Sequence, residues 1–256
     1  MLLPNPTVHP LTRVGAAAGC LALGMTTALI DGDLVAYRCA AANEEADLGL
    51  AIWQTDQMIA RILEDVNADN WFIFISGDNN FRYNIYPDYK ANRRNQPRPK
   101  HLEGVREYLV SSHNADIADG YEADDSLGIA RTRLGVDNNV ICSLDKDLLQ
   151  LEGQHYNFVK RTFERISRWD GLRNFYTQLL VGDSTDNIRG CPGIGKAKAP
   201  KLLEGCNDES DLVRCCWESY ERAGSSEDFM IMNAKLLYIL REEGDAWKPP
   251  LDLILE

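Results

Sequence analysis

The sequence predicts an α/β fold: a mainly parallel sheet flanked by helices, followed by a smaller helical module. Three observations carry this expectation. Short apolar runs alternate with amphipathic stretches over the first two thirds, strand signals thin out after Val159, and most of the acidic clusters stand where an apolar run ends. Alternation of this kind implies parallel strands joined by right-handed crossovers.

Thr26 to Ile30 is the natural first strand, and Leu34 to Asn43 reads as a helix. Leu48 to Val66 is a longer helix, with Ile52, Ile59, Ile62, Leu63 and Val66 on its apolar face. Trp71 to Ile75 is a buried strand. Pro87, Pro97 and Pro99 then interrupt a basic stretch before a helix from about His101 to Ser112. Ala115 to Ala118 is a short strand, Glu122 opens a helix running to Leu134, and Val140 to Leu144 is the next strand. Leu172 to Val181 reads as a helix, followed by a Gly-rich turn and a helix from Lys196 to about Leu203. Leu212 to Tyr220 and Phe229 to Leu240 complete the chain as amphipathic packing helices.

Residues Val14 to Ile30 could pass for an export signal, but removing them would remove the first strand. Residues 1–24 are therefore expected to be a dispensable extension, with Met25 the real start. The catalytic domain should span 25–170 and the helical module 171–256.

Ten carboxylates lie in five clusters: Asp31 and Asp33; Asp78; Glu122, Asp124 and Asp125; Asp145 and Asp147; Asp183 and Asp186. An open α/β sheet places its ligands at the carboxyl ends of its strands, so such carboxylates can form a cage for hard divalent cations. Two ions of the Mg²⁺ or Mn²⁺ type can activate water and stabilise the leaving oxygen of a phosphodiester. The formal charge of −12 looks wrong for an enzyme of nucleic acid, yet without those ten groups it is −2. From Arg82 to Arg106 the balance is +5, and Tyr83, Tyr86 and Tyr89 interleave with the cations, which suits unpaired bases.

Seven cysteines without a CxxC pair, and four dispersed histidines, exclude a zinc site and point to reduced thiols in the cytoplasm. Gly190 to Lys196 matches most of a phosphate loop. However, Ala197 stands where a hydroxyl must hold Mg²⁺, Pro192 removes a backbone donor, and no strand precedes it, so an NTPase is set aside. The same turn, with Lys196, Lys198 and Lys201 nearby, can instead grip a duplex backbone.

Together, Leu29-Ile30-Asp31-Gly32-Asp33, Tyr89-Lys90-Ala91-Asn92-Arg93, Glu122-Ala123-Asp124-Asp125, Ser143-Leu144-Asp145-Lys146-Asp147, Gly182-Asp183-Ser184-Thr185-Asp186-Asn187-Ile188-Arg189-Gly190 and Pro192-Gly193-Ile194-Gly195 resemble the 5′ nuclease family. That family comprises flap endonucleases, the 5′ to 3′ exonuclease domains of bacterial DNA polymerases, and phage 5′ to 3′ exonucleases. The match runs over about residues 26 to 205, in family order, and the layout looks most like the phage branch.

The resemblance implies a PIN-like domain with a helix-three-turn-helix module and a helical arch over about 82–112. It places Asp31, Asp78, Glu122 and Asp124 around a first metal ion, and Asp145, Asp147, Asp183 and Asp186 around a second. Asp125 would serve either ion directly or through water, and Asp33 would stand behind the ligands with its role open. Lys90 and Arg93 would neutralise the scissile phosphate. Arg82 and Arg94 would contact phosphate. Gly190, Gly193, Ile194, Gly195, Lys196 and Lys198 would bind duplex DNA, with a monovalent cation such as K⁺ held by turn carbonyls. The partner implied is DNA with a 5′ end, a flap or a single-strand/double-strand junction, with no membrane involved and the protein a monomer. The rival readings are a PIN-type ribonuclease, usually half this length and without the Gly-Ile-Gly turn, and a non-catalytic DNA-binding protein.

Overall fold

The computed structural model describes residues 26–250; the expected N-terminal extension and the choice of Met25 as start lie outside them. Six strands form one sheet in the order β3-β2-β1-β4-β5-β6. They are β1 (Thr27–Asp31), β2 (Asn70–Ser76), β3 (Asp116–Ala118), β4 (Asn139–Cys142), β5 (Gly153–Asn157) and β6 (Thr162–Ile166). All pairings are parallel except β5 with β6.

Because side chains alternate across a strand, each inner strand feeds two cores. Ala28, Ile30, Ile73, Ile75 and Cys142 face one side, where α1 (Gly32–Ala41), α2 (Leu48–Asp65) and Val105 and Leu109 of α4 (Leu102–His113) cover them. Leu29, Phe74 and Ile141 face the other side, against Leu127 and Ala130 of α5 (Ala123–Leu134). A third core joins α6 (Arg168–Val181), α7 (Ala199–Leu202), α8 (Glu209–Arg222) and α9 (Glu227–Leu237), and it takes in Tyr89. The chain after α9 returns to the sheet layer: a methyl on Gly128 of α5 would collide with the Leu240 carbonyl. Among the described residues no helix is long and apolar enough to cross a membrane, and the cysteines are free thiols.

After Val159, where strand signals are few, one strand still follows: β6, mostly exposed on the sheet's antiparallel edge. Two expectations are corrected. The helix expected from Lys196 shrinks to α7, a single turn with Pro200 in it. The segment 82–112 is not a helical arch. It holds one turn, α3 (Arg82–Ile85), a 3₁₀ turn at Ala91–Arg93, and an exposed stretch over 94–98 where Pro97 and Pro99 forbid helix; α4 is then drawn onto the sheet by its buried Val105 and Leu109.

The strand order reverses direction at β1, so the crevice between the carboxyl ends of β1 and β4 is the switch point of the sheet.

Candidate active site

Asp31 ends β1 and caps α1, accepting from the Leu34 amide at 3.0 Å. Gly32 lets α1 leave directly against β2, since a methyl there would stand 2.7 Å from the Phe74 carbonyl oxygen. Across the switch, Ser143 follows β4 and donates to the other Asp31 oxygen at 2.7 Å. The loop then folds on itself: the Asp145 amide donates to Ser143 Oγ, and the Asp147 amide donates to Asp145 Oδ1. Glu122 and Asp124 stand at the N-terminus of α5, whose dipole favours negative charge. Asp183 and Asp186 come from the turn after α6, which is closed by paired backbone bonds between Asp183 and Ile188.

Crowding is written in the proton affinities. Burial, then Asp33 and Asp145, push the Asp31 carboxyl up to about 7 against the Ser143 bond. Burial, then Asp145 and Asp183, push Asp147 up to about 7. Asp124 is held well above the ordinary range by burial and by Asp145, Asp31 and Glu122. Burial raises Asp186 in spite of Lys90 and Arg93. For Glu122 burial also pushes upward, but Lys90 and Arg82 outweigh it and keep the group below its usual value.

The cations are bound to this cluster. Lys90 pairs with Glu122 and lies 3.6 Å from Asp186; Arg93 pairs with Asp186 and donates to the Thr185 carbonyl at 3.0 Å. Lys90 adopts left-handed backbone (φ 54°), uncommon for a residue with a Cβ, and its amide donates to the Asp186 carbonyl.

Asp31, Glu122, Asp124, Asp145, Asp147, Asp183 and Asp186 thus act on one another, while Asp78 is exposed on the loop after β2. Among the described residues no three carboxylate, His or Cys side chains stand close enough, as placed, to hold an ion. The donor set nevertheless fits hard divalent cations. It consists of oxygens alone, and the raised proton affinities mark a cluster short of positive charge.

Four expected site residues are placed elsewhere. Asp125 is fully buried, and both its oxygens are taken by Arg82 (2.6 and 2.9 Å), the Glu122 amide (3.0 Å) and the Leu240 amide (2.9 Å); no acceptor remains for a cation. Arg82 is equally buried and spends its other donors on the Leu236 and Tyr238 carbonyls, so it cannot reach DNA. Gly190 is buried against Gly182, the two backbones so close that a methyl on either would collide with the other, both at positive φ. Ile194 packs into the helical core and is 8% exposed. Gly193 and Gly195 face open space, and Lys196 and Lys198 are exposed. Arg94 is exposed and donates to the Pro87 carbonyl.

Asp33 accepts from the Ser76 amide at 2.9 Å and pairs with Arg106, clipping α4 to the end of β2. Tyr83 keeps an exposed face, whereas Tyr89 is 2% exposed, its hydroxyl 2.9 Å from Glu122 and 3.0 Å from Asp186. Sequence reasoning missed Ser143, Gln178 (bonded to Asp147), Asn92 and Asn187; the last two staple 88–92 to 184–187 through the Ser184 and Asp88 carbonyls. Ser143 had a signal, its position two before Asp145; Gln178 had none.

Residues 26–176 match the family model described as the 5′-3′ exonuclease N-terminal, resolvase-like domain. The chain belongs to the 5′-3′ exonuclease family. Among its relatives, the DNA polymerase I of Chloroflexus aurantiacus is 32% identical over 69% of this chain and 22% of its own length. The flap endonuclease Xni of Shewanella baltica is 27% identical over 69% and 73%, and a 5′-3′ exonuclease of Mycoplasmopsis pulmonis 28% over 68% and 65%. The chain therefore spans under a quarter of the polymerases it matches. In fold, the family member is similar to phage T5 5′-exonuclease with zinc bound (TM-score 0.60, 19% identity, 83% of this chain and 90% of that one). It is also similar to the catalytic core of Rad2 in complex with DNA (TM-score 0.52, 13% identity, 91% and 87%).

Proposed function

We propose that the chain is a divalent-metal-dependent 5′ to 3′ exonuclease and structure-specific 5′ flap endonuclease, acting on DNA that presents a 5′ end or a single-strand/double-strand junction. The observation that supports this reading is that seven carboxylates beside the switch point of the sheet act on one another's charge, with Lys90 paired to Glu122 and Arg93 to Asp186. Asp31, Glu122 and Asp124 are the ligands we assign to one ion, and Asp78, exposed on its loop, is assigned to it with them; Asp145, Asp147, Asp183 and Asp186 are assigned to the other. Mg²⁺ or Mn²⁺ held there would supply neutralisation of the phosphodiester and a water acidic enough to attack it.

The chain's own groups do the rest. Lys90 has three donors on a flexible stem, so it can leave Glu122 for a phosphoryl oxygen once the carboxylates are otherwise neutralised. Arg93 offers a planar fork next to it. Ser143 and Gln178 hold Asp31 and Asp147 in place. The open backbone at Gly193 and Gly195, with Lys196 and Lys198, suits a duplex backbone, and a monovalent cation at the turn carbonyls belongs to the same reading. We take the working unit to be a monomer in a reducing cytoplasm, in keeping with its free thiols.

The test is cleavage of a labelled duplex bearing a 5′ flap, in Mg²⁺ and in chelator, beside the same duplex bearing a 3′ flap. Metal-dependent cutting at the 5′ junction alone is expected. Turnover of a matched RNA but not of the DNA would replace the substrate, and no cutting of either by folded protein would replace the reaction.

A further inference from the structure

The crevice continues into a cleft of about 440 Å³ that Asp147 and Asp183 themselves line, together with Lys146, Asn174, Gln178 and Lys196 among others. Three elements meet there: the loop after β4, the second half of α6, and the Gly-rich turn. Its size lies within the ~300–1,000 Å³ of ordinary ligand pockets.

The charge of the cleft is unexpected. Lys146 stands between Asp145 and Asp147 in sequence, yet among the described residues it forms an ion pair with neither, and Lys196 has no ion pair either. The Asp145 carboxylate turns instead to the Asp147 amide. Asn174, which donates to the Leu149 carbonyl, lines the cleft with Thr177 and Ser184. Asp147 and Asp183 line the cleft as well and offset the two lysines; with those carboxylates given to the cations assigned above, Lys146 and Lys196 are left for an anion. No aromatic residue lines the cleft, so nothing there can stack a base.

We propose that this cleft is a subsite for a phosphodiester of the DNA backbone adjacent to the one that is cut, with Lys146 and Lys196 as its anchors and Lys146 as a determinant of where the strand is seated. The inference rests on the nuclease reading above. It adds a contact that is blind to base sequence and sensitive to backbone charge.

The experiment walks a single uncharged methylphosphonate linkage along the flap junction and compares kcat/KM for the wild-type protein, Lys146→Ala and Lys146→Arg. At one linkage beside the scissile one, neutralisation should cost the wild-type protein about tenfold, mostly in KM, and cost Lys146→Ala nothing further. Lys146→Arg should behave as wild type. With Ca²⁺ replacing Mg²⁺, Lys146→Ala should also lower the salt dependence of binding by about one ion. If the lysine variant and the neutral linkage multiply at every position, or if Lys146→Ala binds with an unchanged salt slope, the subsite is refuted while the nuclease reading stands. An unmodified flap left uncut by the wild-type protein refutes both.

Discussion

The Arg82 guanidinium meets the Asp125 carboxylate fork to fork, at 2.6 and 2.9 Å, with both side chains shielded from solvent. The pair ties the start of the basic segment to α5 and, through Leu236, Tyr238 and Leu240, to the returning C-terminal chain. Removing one partner leaves a buried charge unpaired, so Arg82→Ala or Asp125→Ala should each lose about 3–5 kcal/mol in urea unfolding. Metal affinity of the remaining folded protein should be unchanged by calorimetry. An Asp125 variant of normal stability that no longer binds Mn²⁺ would return this residue to the ligands.

Asp31 and Asp147, both pushed up to about 7, give the metal-free protein a pH dependence of definite sign. In the unfolded chain both titrate near 3.8, so between about 4 and 7 the folded state holds protons that the unfolded state has released. Stability in chelator should therefore fall as pH rises through 7, where like charges are forced together. Asp124 and Asp186 act in the same direction; Glu122, shifted downward, loses its contribution only at lower pH. Thermal unfolding in chelator should show Asp31→Asn melting above wild type at pH 8, by about 2–4 °C per kcal/mol of repulsion relieved. Added Mg²⁺ should raise the wild-type Tm more at pH 8 than at pH 6.

Lys90→Ala should slow single-turnover cleavage by about 10²–10³-fold, the usual cost of losing one group aimed at developing charge. Lys90→Gly tests geometry separately. It removes the same charge but relieves the left-handed backbone, so it should be as slow as the alanine variant and somewhat more stable. A single-turnover rate unchanged by Lys90→Ala would take the residue out of the site.

Three glycines of one turn should respond in three ways. Gly190→Ala, forced against Gly182, should cost about 2–4 kcal/mol in denaturant unfolding. Gly193→Ala has room but keeps a positive φ, and should cost about 1 kcal/mol. Gly195→Ala has room and no such φ, so stability should hold while duplex affinity drops in an anisotropy titration. Equal duplex affinity for wild type and Gly195→Ala would remove this backbone from the interface.

Much of the sheet was legible because β1, β2 and β4 are buried on both faces and read as apolar runs. β5 and β6 were not: Gly153–Asn157 is half polar, and Thr162–Ile166 exposes four of its five residues on an edge. The carboxylates could be named from their spacing, yet spacing could not sort them. Asp124 and Asp125 are neighbours on α5 but point about 100° apart, one toward the site and one into the core. Nothing local reveals that Arg82 will find carbonyls more than 150 residues away, or that Tyr89, set among basic residues, will bury its ring and bond two carboxylates.

Between Gly182 and Gly190 the chain leaves α6, carries Asp183 and Asp186 out and back, and closes on itself through a backbone contact too tight for a Cβ. The turn that meets open space at Gly193 starts from that closure. In the proposed function, the stretch that would hold the duplex and the stretch that would cut it are neighbours along the chain, joined at that contact. An enzyme built this way would act as a gauge: it would measure a length along its polymer from the point where it holds on, with no need to read a letter.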